Sequence, residues 1–224
     1  MNIFDPQQLE QWRQLHADYE ARLQTLSGRV LQTVRYYELY SEGKTVPEYD
    51  WRGEGVDVLD FGLDLVTDDG TFGIIWENDF VHYHVGIHHH SLSDETAQAT
   101  TWDVTSRWQE LVGQEIVEAK AWWSSCDFES HHVSGEKRDE LLQSVFENRP
   151  IHDPDAVGRN VYPQTLELRF KTGKSVYIST LKLRDDGEYW DMTDSLCVIF
   201  DEAIAEAAKV GPYGDSPLPD RYLP

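Results

Sequence analysis

Histidines are concentrated in one stretch of the sequence, and imidazole is the side chain used most often for metal binding and for acid–base chemistry near neutral pH. The stretch holds His82, His84, His88, His89 and His90, and a second pair follows at His131 and His132. On a β-strand, His82 and His84 would point to the same side, as two ligands of one ion must. With Cys126 or Asp127 as a further ligand, this pattern describes a metal-dependent enzyme.

Other features of the sequence favour solvated histidines over a metal centre. The run 88–90 precedes serine and acidic residues and is typical of a surface loop, and three successive imidazoles cannot all reach one ion. The chain has neither a His-Glu-x-x-His motif nor a cysteine pair with zinc spacing. We therefore predict that no metal and no other cofactor is bound.

Nucleophilic and phosphate chemistry have no recognisable motif either. A Gly-x-Ser-x-Gly elbow is missing, and no glycine-rich phosphate loop is present. Cys197 lies among apolar residues and is predicted to fill the core, while Cys126 lacks the basic neighbours that activate a thiol. The sequence predicts a protein that is not an enzyme.

Acidic residues dominate the charge of the chain. There are 41 Asp and Glu against 19 Lys and Arg, which gives a net charge of −22. Residues 53–106 contain no lysine or arginine at all. Such a field repels nucleic acids and anionic membranes and speeds encounter with cationic proteins, so the predicted partner is a basic protein.

The predicted contact surface combines an aromatic anchor with the acids of this stretch. Tryptophan supplies binding area, and carboxylates around it steer a basic partner. The partner-binding residues predicted on this basis are Asp57, Asp60, Asp64, Asp68, Asp69, Trp76, Glu77 and Asp79.

The first elements that must position these residues are well signalled. Asp5 and Pro6 begin a predicted helix whose apolar residues recur at steps of three and four up to Leu26, and Gly28 ends it. A strand follows, and residues 58–87 predict two strands folded over the turn at Asp68–Gly70. In the first of them, apolar residues alternate with acids, which predicts one buried face and one face of carboxylates.

The second half of the chain repeats this order in its pattern. A helix within residues 94–112 is predicted to precede Gly113 and a strand, and LELRFKTGKSVYI matches the earlier hairpin LDLVTDDGTFGII. A closing helix is predicted from Asp191 or Thr193, and it ends at Gly211.

The predicted fold class is α+β, with two related helix plus antiparallel three-strand units that arose by internal duplication and a closing C-terminal helix. Residues 1–92 form the first unit, residues 93–211 the second unit with a helical insertion near 130–160, and residues 212–224 a proline-rich tail. Together they are predicted to make one compact domain.

An acidic α+β chain with these two hairpins and no catalytic motif resembles the immunity proteins of bacterial polymorphic toxin systems, those paired with type VI, contact-dependent or Rhs effectors. The resemblance is general and names no subfamily. It implies a non-enzymatic protein that neutralises a cognate secreted toxin by covering a basic active-site surface. The alternatives are an intracellular adaptor or regulatory domain, and the histidine-based metal enzyme. The sequence shows neither a signal peptide nor the apolar run of about 18 residues that a membrane span needs, which predicts a cytoplasmic protein.

Overall fold

A computed structural model describes residues 6–39, 55–78, 83–94, 99–129, 157–183, 189–191 and 194–214. Helix α1 spans Pro6–Gln24, and helix α2 spans Glu202–Ala207. The strands are β1 (Leu31–Glu38), β2 (Val56–Leu59), β3 (Gly62–Thr67), β4 (Gly70–Glu77), β5 (His84–His88), β6 (Thr100–Asp103), β7 (Ile116–Glu129), β8 (Val157–Phe170), β9 (Ser175–Ser179), β10 (Leu181–Leu183), β11 (Tyr189–Asp191) and β12 (Leu196–Ile199).

Most of these strands belong to two five-stranded antiparallel sheets. The first sheet has the order β5-β4-β3-β1-β6, and the second has the order β2-β12-β9-β8-β7. Strands β10 and β11 form a separate two-stranded sheet. The β3–β4 hairpin turns at Asp68 and Asp69, as the sequence predicted, and Gly70 follows at a φ of 136°.

The two sheets enclose one apolar core between their inner faces. Every second residue of a strand points inward, so Leu63 and Leu65 of β3 meet Leu166 and Leu168 of β8 in the same cluster. Tyr19 and Leu23 of helix α1, with Leu26 in the turn that follows it, close this core and form the later part of the predicted apolar stripe. The Tyr19 hydroxyl donates to the Val85 carbonyl at 2.7 Å and ties α1 to β5, the edge strand of the first sheet.

The predicted fold class is wrong, because the described chain is mostly β and its halves do not form separate helix plus three-strand units. Strand β2, from the first half, pairs with β12 in the second sheet, and β6, from the second half, pairs with β1 in the first sheet. These exchanges interleave the halves, so the structure gives no pair of duplicated units. Pairing between strands that are far apart in the chain does not change the spacing of apolar residues within each strand, so the sequence pattern does not reveal it.

Neither of two further predicted helices has its predicted extent. Residues 94–112 contain β6 and a 3-10 turn at Thr105–Trp108, with no α-helix among the described residues of that range. The predicted closing helix is strand β12 up to Ile199, and α2 begins only after Asp201, whose carboxylate caps it. A short apolar run such as Leu196–Ile199 suits a buried strand as well as a helix, and here it is buried on both faces.

The proposed insertion near 130–160 begins after an extended ribbon. Strands β7 and β8 remain paired as far as Glu129 and Val157. The predicted range therefore begins directly after β7, and its last residues belong to β8. The helix predicted there falls on residues 130–156, which lie outside the described residues, as does most of the tail 212–224.

Candidate functional site

Asp57 is buried inside the protein and is tied to an arginine. Its side chain is 0% exposed, and Arg107 reaches it with Nε at 3.1 and 3.2 Å and with Nη2 at 2.9 Å. The Tyr36 hydroxyl donates to Asp57 at 2.9 Å and accepts from the Trp108 indole at 3.0 Å. Burial, with the neighbouring Asp57 charge, raises the pKa of Tyr36 well above its ordinary value. This network joins β2 to β1 and to the 3-10 turn, and it leaves Asp57 no open face for a partner.

Asp64 is also buried, beneath a segment that crosses the outer face of the first sheet. Its carboxylate accepts from the Tyr37 hydroxyl at 2.6 Å, from Ser91 Oγ at 2.6 Å and from the Leu92 N–H at 2.9 Å. Leu92 fills a notch over Gly73, where a Cβ would lie 2.7 Å from the leucine side chain. The predicted carboxylate face of β3 is therefore covered, and Asp64 holds the segment that covers it.

Glu77 lies between two histidines of the neighbouring strand. Its Oε1 is 2.7 Å from His88 Nε2, and its Oε2 is 3.6 Å from His84 Nε2. Gly86 separates the histidines on β5, and a side chain there would overlap the Glu77 carboxylate. Burial alone would raise the pKa of Glu77, but the hydrogen bonds and charge of His84 and His88 outweigh it and lower this pKa to about 2. Glu77 is thus an ionised carboxylate clamped by imidazoles.

Asp60 and Trp76 meet at one end of the molecule. The Trp76 indole N–H donates to the Asp60 carbonyl at 3.0 Å, and its ring contacts Tyr83 edge-on at 5.4 Å between centroids. The Asp60 carboxylate is exposed and accepts from the Leu39 N–H at 3.1 Å. Trp76 is partly buried against the core, so its indole is held in one orientation.

Asp194 belongs to this end as well, although no pattern in the sequence predicts it. Leu196, the first residue of β12, pairs with Leu59, the last residue of β2. Asp194 precedes Leu196 by two residues, and Asp60 directly follows Leu59. Both acids therefore lie at the same end of the second sheet. Asp194 is exposed and makes no ion pair with a described residue. We call Asp60, Trp76, Glu77 and Asp194 the Trp76 end.

Asp68 and Asp69 lie at the opposite end of the β3–β4 hairpin. Asp68 accepts from the Val30 N–H at 2.9 Å, and Asp69 forms an ion pair with Arg29. A strand of the length of β3 spans roughly 20 Å, so these acids and the Trp76 end are separate surfaces. Asp79 lies outside the described residues. The predicted contact set is therefore divided between two ends and the interior.

The histidine cluster does not assemble a metal site in the part of the chain that is described. No group of three or more His, Cys, Asp or Glu side chains there could hold an ion. His84 is buried and His88 half-buried beside Glu77, whereas His89 and His90 are exposed. His82, His131 and His132 lie outside the described residues, as do the side chains of Cys126 and Asp127.

A groove of about 410 Å³ lies beside Arg107, Lys174, Ser175 and Phe200. Its cations are engaged within the protein, because Arg107 binds Asp57 and Lys174 pairs with Glu110. The groove therefore presents neither an unpaired cation nor an activated nucleophile among its lining residues.

The basic side chains of the described ranges are largely occupied by the protein itself. Those in ion pairs with its own carboxylates are Arg13, Arg29, Arg107, Arg169, Lys171 and Lys174. Arg22 and Lys120 lie instead over the rings of Tyr19 and Trp122. Exposed acids with no such partner in the described ranges include Asp18, Asp68, Asp94, Asp194, Glu202 and Glu206.

Three further carboxylates accept hydrogen bonds from tryptophan indoles, and the sequence analysis does not predict these pairs. Trp102 donates to Glu38 at 2.8 Å, Trp122 to Glu167 at 2.8 Å and Trp123 to Glu20 at 3.2 Å. Each pair joins residues far apart in the chain, so no local signal could have revealed it.

No helix among the described residues combines the length and the apolar character needed to cross a membrane. Comparison with protein-family models, with characterised proteins and with solved structures finds no match to this chain.

Proposed function

We propose that this chain is a non-enzymatic acidic protein that binds a basic partner protein in the cytoplasm. The observation that carries the proposal is how the charged side chains are paired. Most described lysines and arginines contact carboxylates or aromatic rings of the chain itself, while several exposed acids have no counter-charge among the described residues. A surface of this kind repels other acidic molecules and attracts cationic ones over distances of about 10 Å at ordinary ionic strength.

The narrower proposal is that the partner is a toxin and that the chain neutralises it by covering a basic active-site surface. The Trp76 end supports such a contact best. It offers an oriented indole, which suits a binding anchor, and the exposed acids Asp60 and Asp194 lie at the same end. Asp57 and Asp64 have internal structural roles and are not part of the proposed contact.

The experiment is co-expression with a candidate toxin encoded by an adjacent gene. Cells expressing the toxin alone should stop growing, and cells expressing both proteins should grow. The purified pair should associate quickly at 50 mM NaCl, and the association rate should fall as salt is added. If neither rescue nor a complex is found with any neighbouring gene product, the toxin proposal fails.

Charge reversal locates the contact. Asp60→Lys combined with Asp194→Lys should slow association with the toxin by roughly tenfold at low salt and flatten its salt dependence. The matched control also reverses two charges, in Asp68→Lys combined with Glu206→Lys, which are exposed positions away from the Trp76 end with no described ion pair. Equal slowing in the control would show that only the overall field acts and would remove the Trp76 end from the proposal.

A further inference from the structure

A tryptophan and a glutamate on the outer face of the second sheet form an oriented pair. The Trp122 indole N–H donates to Glu167 Oε2 at 2.8 Å, and the Ser175 hydroxyl donates to Glu167 Oε1 at 2.8 Å. Both carboxylate oxygens therefore have neutral donors that fix their position. On its other side the indole edge lies near Gly211, where a Cβ would sit 3.8 Å from Trp122 Cδ1. The pair is held on rigid strands, as a recognition site requires.

A lysine of the same chain occupies the exposed face of this indole. Lys120 stands directly opposite Glu167 in the β7–β8 register, where an ion pair between the two would be expected. Its ammonium instead lies 3.6 Å from the centre of the Trp122 ring. Glu167 makes no ion pair with any described residue; each of its oxygens accepts one hydrogen bond, from Trp122 or Ser175, and keeps a second lone pair.

We propose that Trp122 and Glu167 form a subsite for an arginine side chain of the basic partner, and that Lys120 covers this subsite in the free protein. The inference rests on the proposed function for the existence of a basic partner, and it adds the chemistry of one contact. An ammonium already bound to the ring shows that this face accepts a cation in the folded chain.

Arginine fits the subsite better than lysine for geometric reasons. A planar guanidinium stacks on an indole face and at the same time directs N–H groups sideways, toward the remaining lone pairs of Glu167. An ammonium is a compact and strongly hydrated charge that can make either the ring contact or the ion pair, but not both. Lys120 makes the ring contact. Lys120 is exposed, and a cation–ring contact at the protein surface is held weakly, so an arginine can displace it.

The test uses the full chain and a small probe, N-acetyl-arginine methylamide, followed by NMR of the indole N–H signals. The Trp122 signal is assigned by its loss in Trp122→Phe. The arginine probe should shift this signal saturably, and Lys120→Gln should lower the apparent Kd by about threefold, because the competing cation is removed. Glu167→Gln should raise the apparent Kd several-fold while the Trp122 signal stays dispersed, which shows that the variant is folded.

Matched controls separate the subsite from general attraction to an acidic protein. The probe's neutral citrulline analogue should leave the Trp122 signal in place. Trp102 also donates to a carboxylate, Glu38, but no described cation lies on its ring, and its signal should not respond. A response to citrulline, an equal response at Trp102, or no response of Lys120→Gln at millimolar arginine probe would each overturn the proposal.

Failure of this subsite and failure of the proposed function are distinguishable. A toxin complex that forms with the same affinity in Trp122→Phe and in Glu167→Gln leaves the proposed function standing and removes the subsite from the contact. Arginine binding at Trp122 without any toxin rescue gives the opposite result.

Discussion

At the scale of single residues, the carboxylates divide by what surrounds them and not by their spacing in the sequence. Asp57 and Asp64 have partners supplied by distant parts of the chain, whereas the partners of Glu77 come from the next strand. Asp60 and Asp68 accept backbone N–H groups at the surface and keep their charge toward solvent. Alternation along β3 correctly placed Leu63 and Leu65 in the core, but no pattern shows that Ser91 and Leu92 fold back over the other face.

Glu77→Gln should destabilise the protein at neutral pH by about 1–2 kcal/mol, because the histidines stabilise the ionised carboxylate. The pKa of Glu77 lies at about 2 in the folded protein against an ordinary value of 4.5. The stabilisation is therefore complete above pH 4.5 and is lost as the pH falls toward 2. Urea unfolding at pH 7 and pH 3 measures it, and the gap between wild type and variant should narrow at pH 3.

The control for this prediction is Glu110→Gln. Glu110 is exposed, and the hydrogen bond and charge of Lys174 lower its pKa without burial. Its replacement should leave stability nearly unchanged. If the difference in the free energy of unfolding between wild type and Glu77→Gln were the same at pH 7 and pH 3, the ionised Glu77 carboxylate would not be the source of the stabilisation.

Asp57→Asn should cost about 3 kcal/mol, because it removes the fully buried carboxylate charge to which Arg107 is bound. The substitution keeps the volume of the side chain, so the loss reports charge and hydrogen bonding. Urea unfolding at pH 7 measures it, with Glu206→Gln on exposed α2 as a control expected within about 0.5 kcal/mol of wild type. A loss below 1 kcal/mol would show that the pair is dispensable for joining the sheets.

At the scale of elements, the sequence correctly predicts those helices and turns whose ends are set by neighbouring residues in the chain. Helix α1 and the hairpin at Asp68 and Asp69 were predicted because proline and glycine mark them. The sequence predicts a helix at Leu196–Ile199, but this segment is a strand because it pairs with β2 on one side and β9 on the other. The same limit hid Asp194, which joins the Trp76 end only through the pairing of β12 with β2.

The junction of the two sheets rests on two glycines with reciprocal hydrogen bonds. The Gly28 N–H donates to the Ile116 carbonyl and the Gly113 N–H donates to the Leu31 carbonyl, each at 2.7 Å. Their φ angles are 83° and 79°, in the left-handed region that favours glycine. Between them, Val30 and Glu115 form an isolated antiparallel bridge.

Gly113→Ala should therefore destabilise the protein by about 1–2 kcal/mol through backbone strain alone. A Cβ at this position meets nothing within 4 Å, so crowding adds no further cost. Gly28→Ala should cost a similar amount for the same reason, and Gly113→Asn should cost less, because asparagine tolerates the left-handed region. Thermal unfolding of the three variants checks this, and equal losses for alanine and asparagine would contradict the backbone explanation.

At the scale of the whole molecule, two electrostatic effects oppose each other when salt is added. Screening weakens the internal ion pairs, most of which join exposed side chains such as Arg169 and Glu118 and are worth about 0–1 kcal/mol each. Screening also relieves the mutual repulsion of a chain with a net charge of −22. The second effect should dominate, because it acts among all the unneutralised acids at once.

The Tm should therefore rise by about 4 °C between 10 and 300 mM NaCl, as the Debye length falls from about 30 Å to below 8 Å. A variant that replaces Asp68, Asp94, Asp194 and Glu206 by their amides should start from a higher Tm at 10 mM NaCl and rise less. These positions are exposed and make no described ion pair, so their amides remove charge without breaking contacts between side chains. Differential scanning calorimetry in NaCl measures both proteins. A Tm that falls with salt would mean that the internal ion pairs outweigh the repulsion, and the surface would then lack the unbalanced field on which attraction of a basic partner depends.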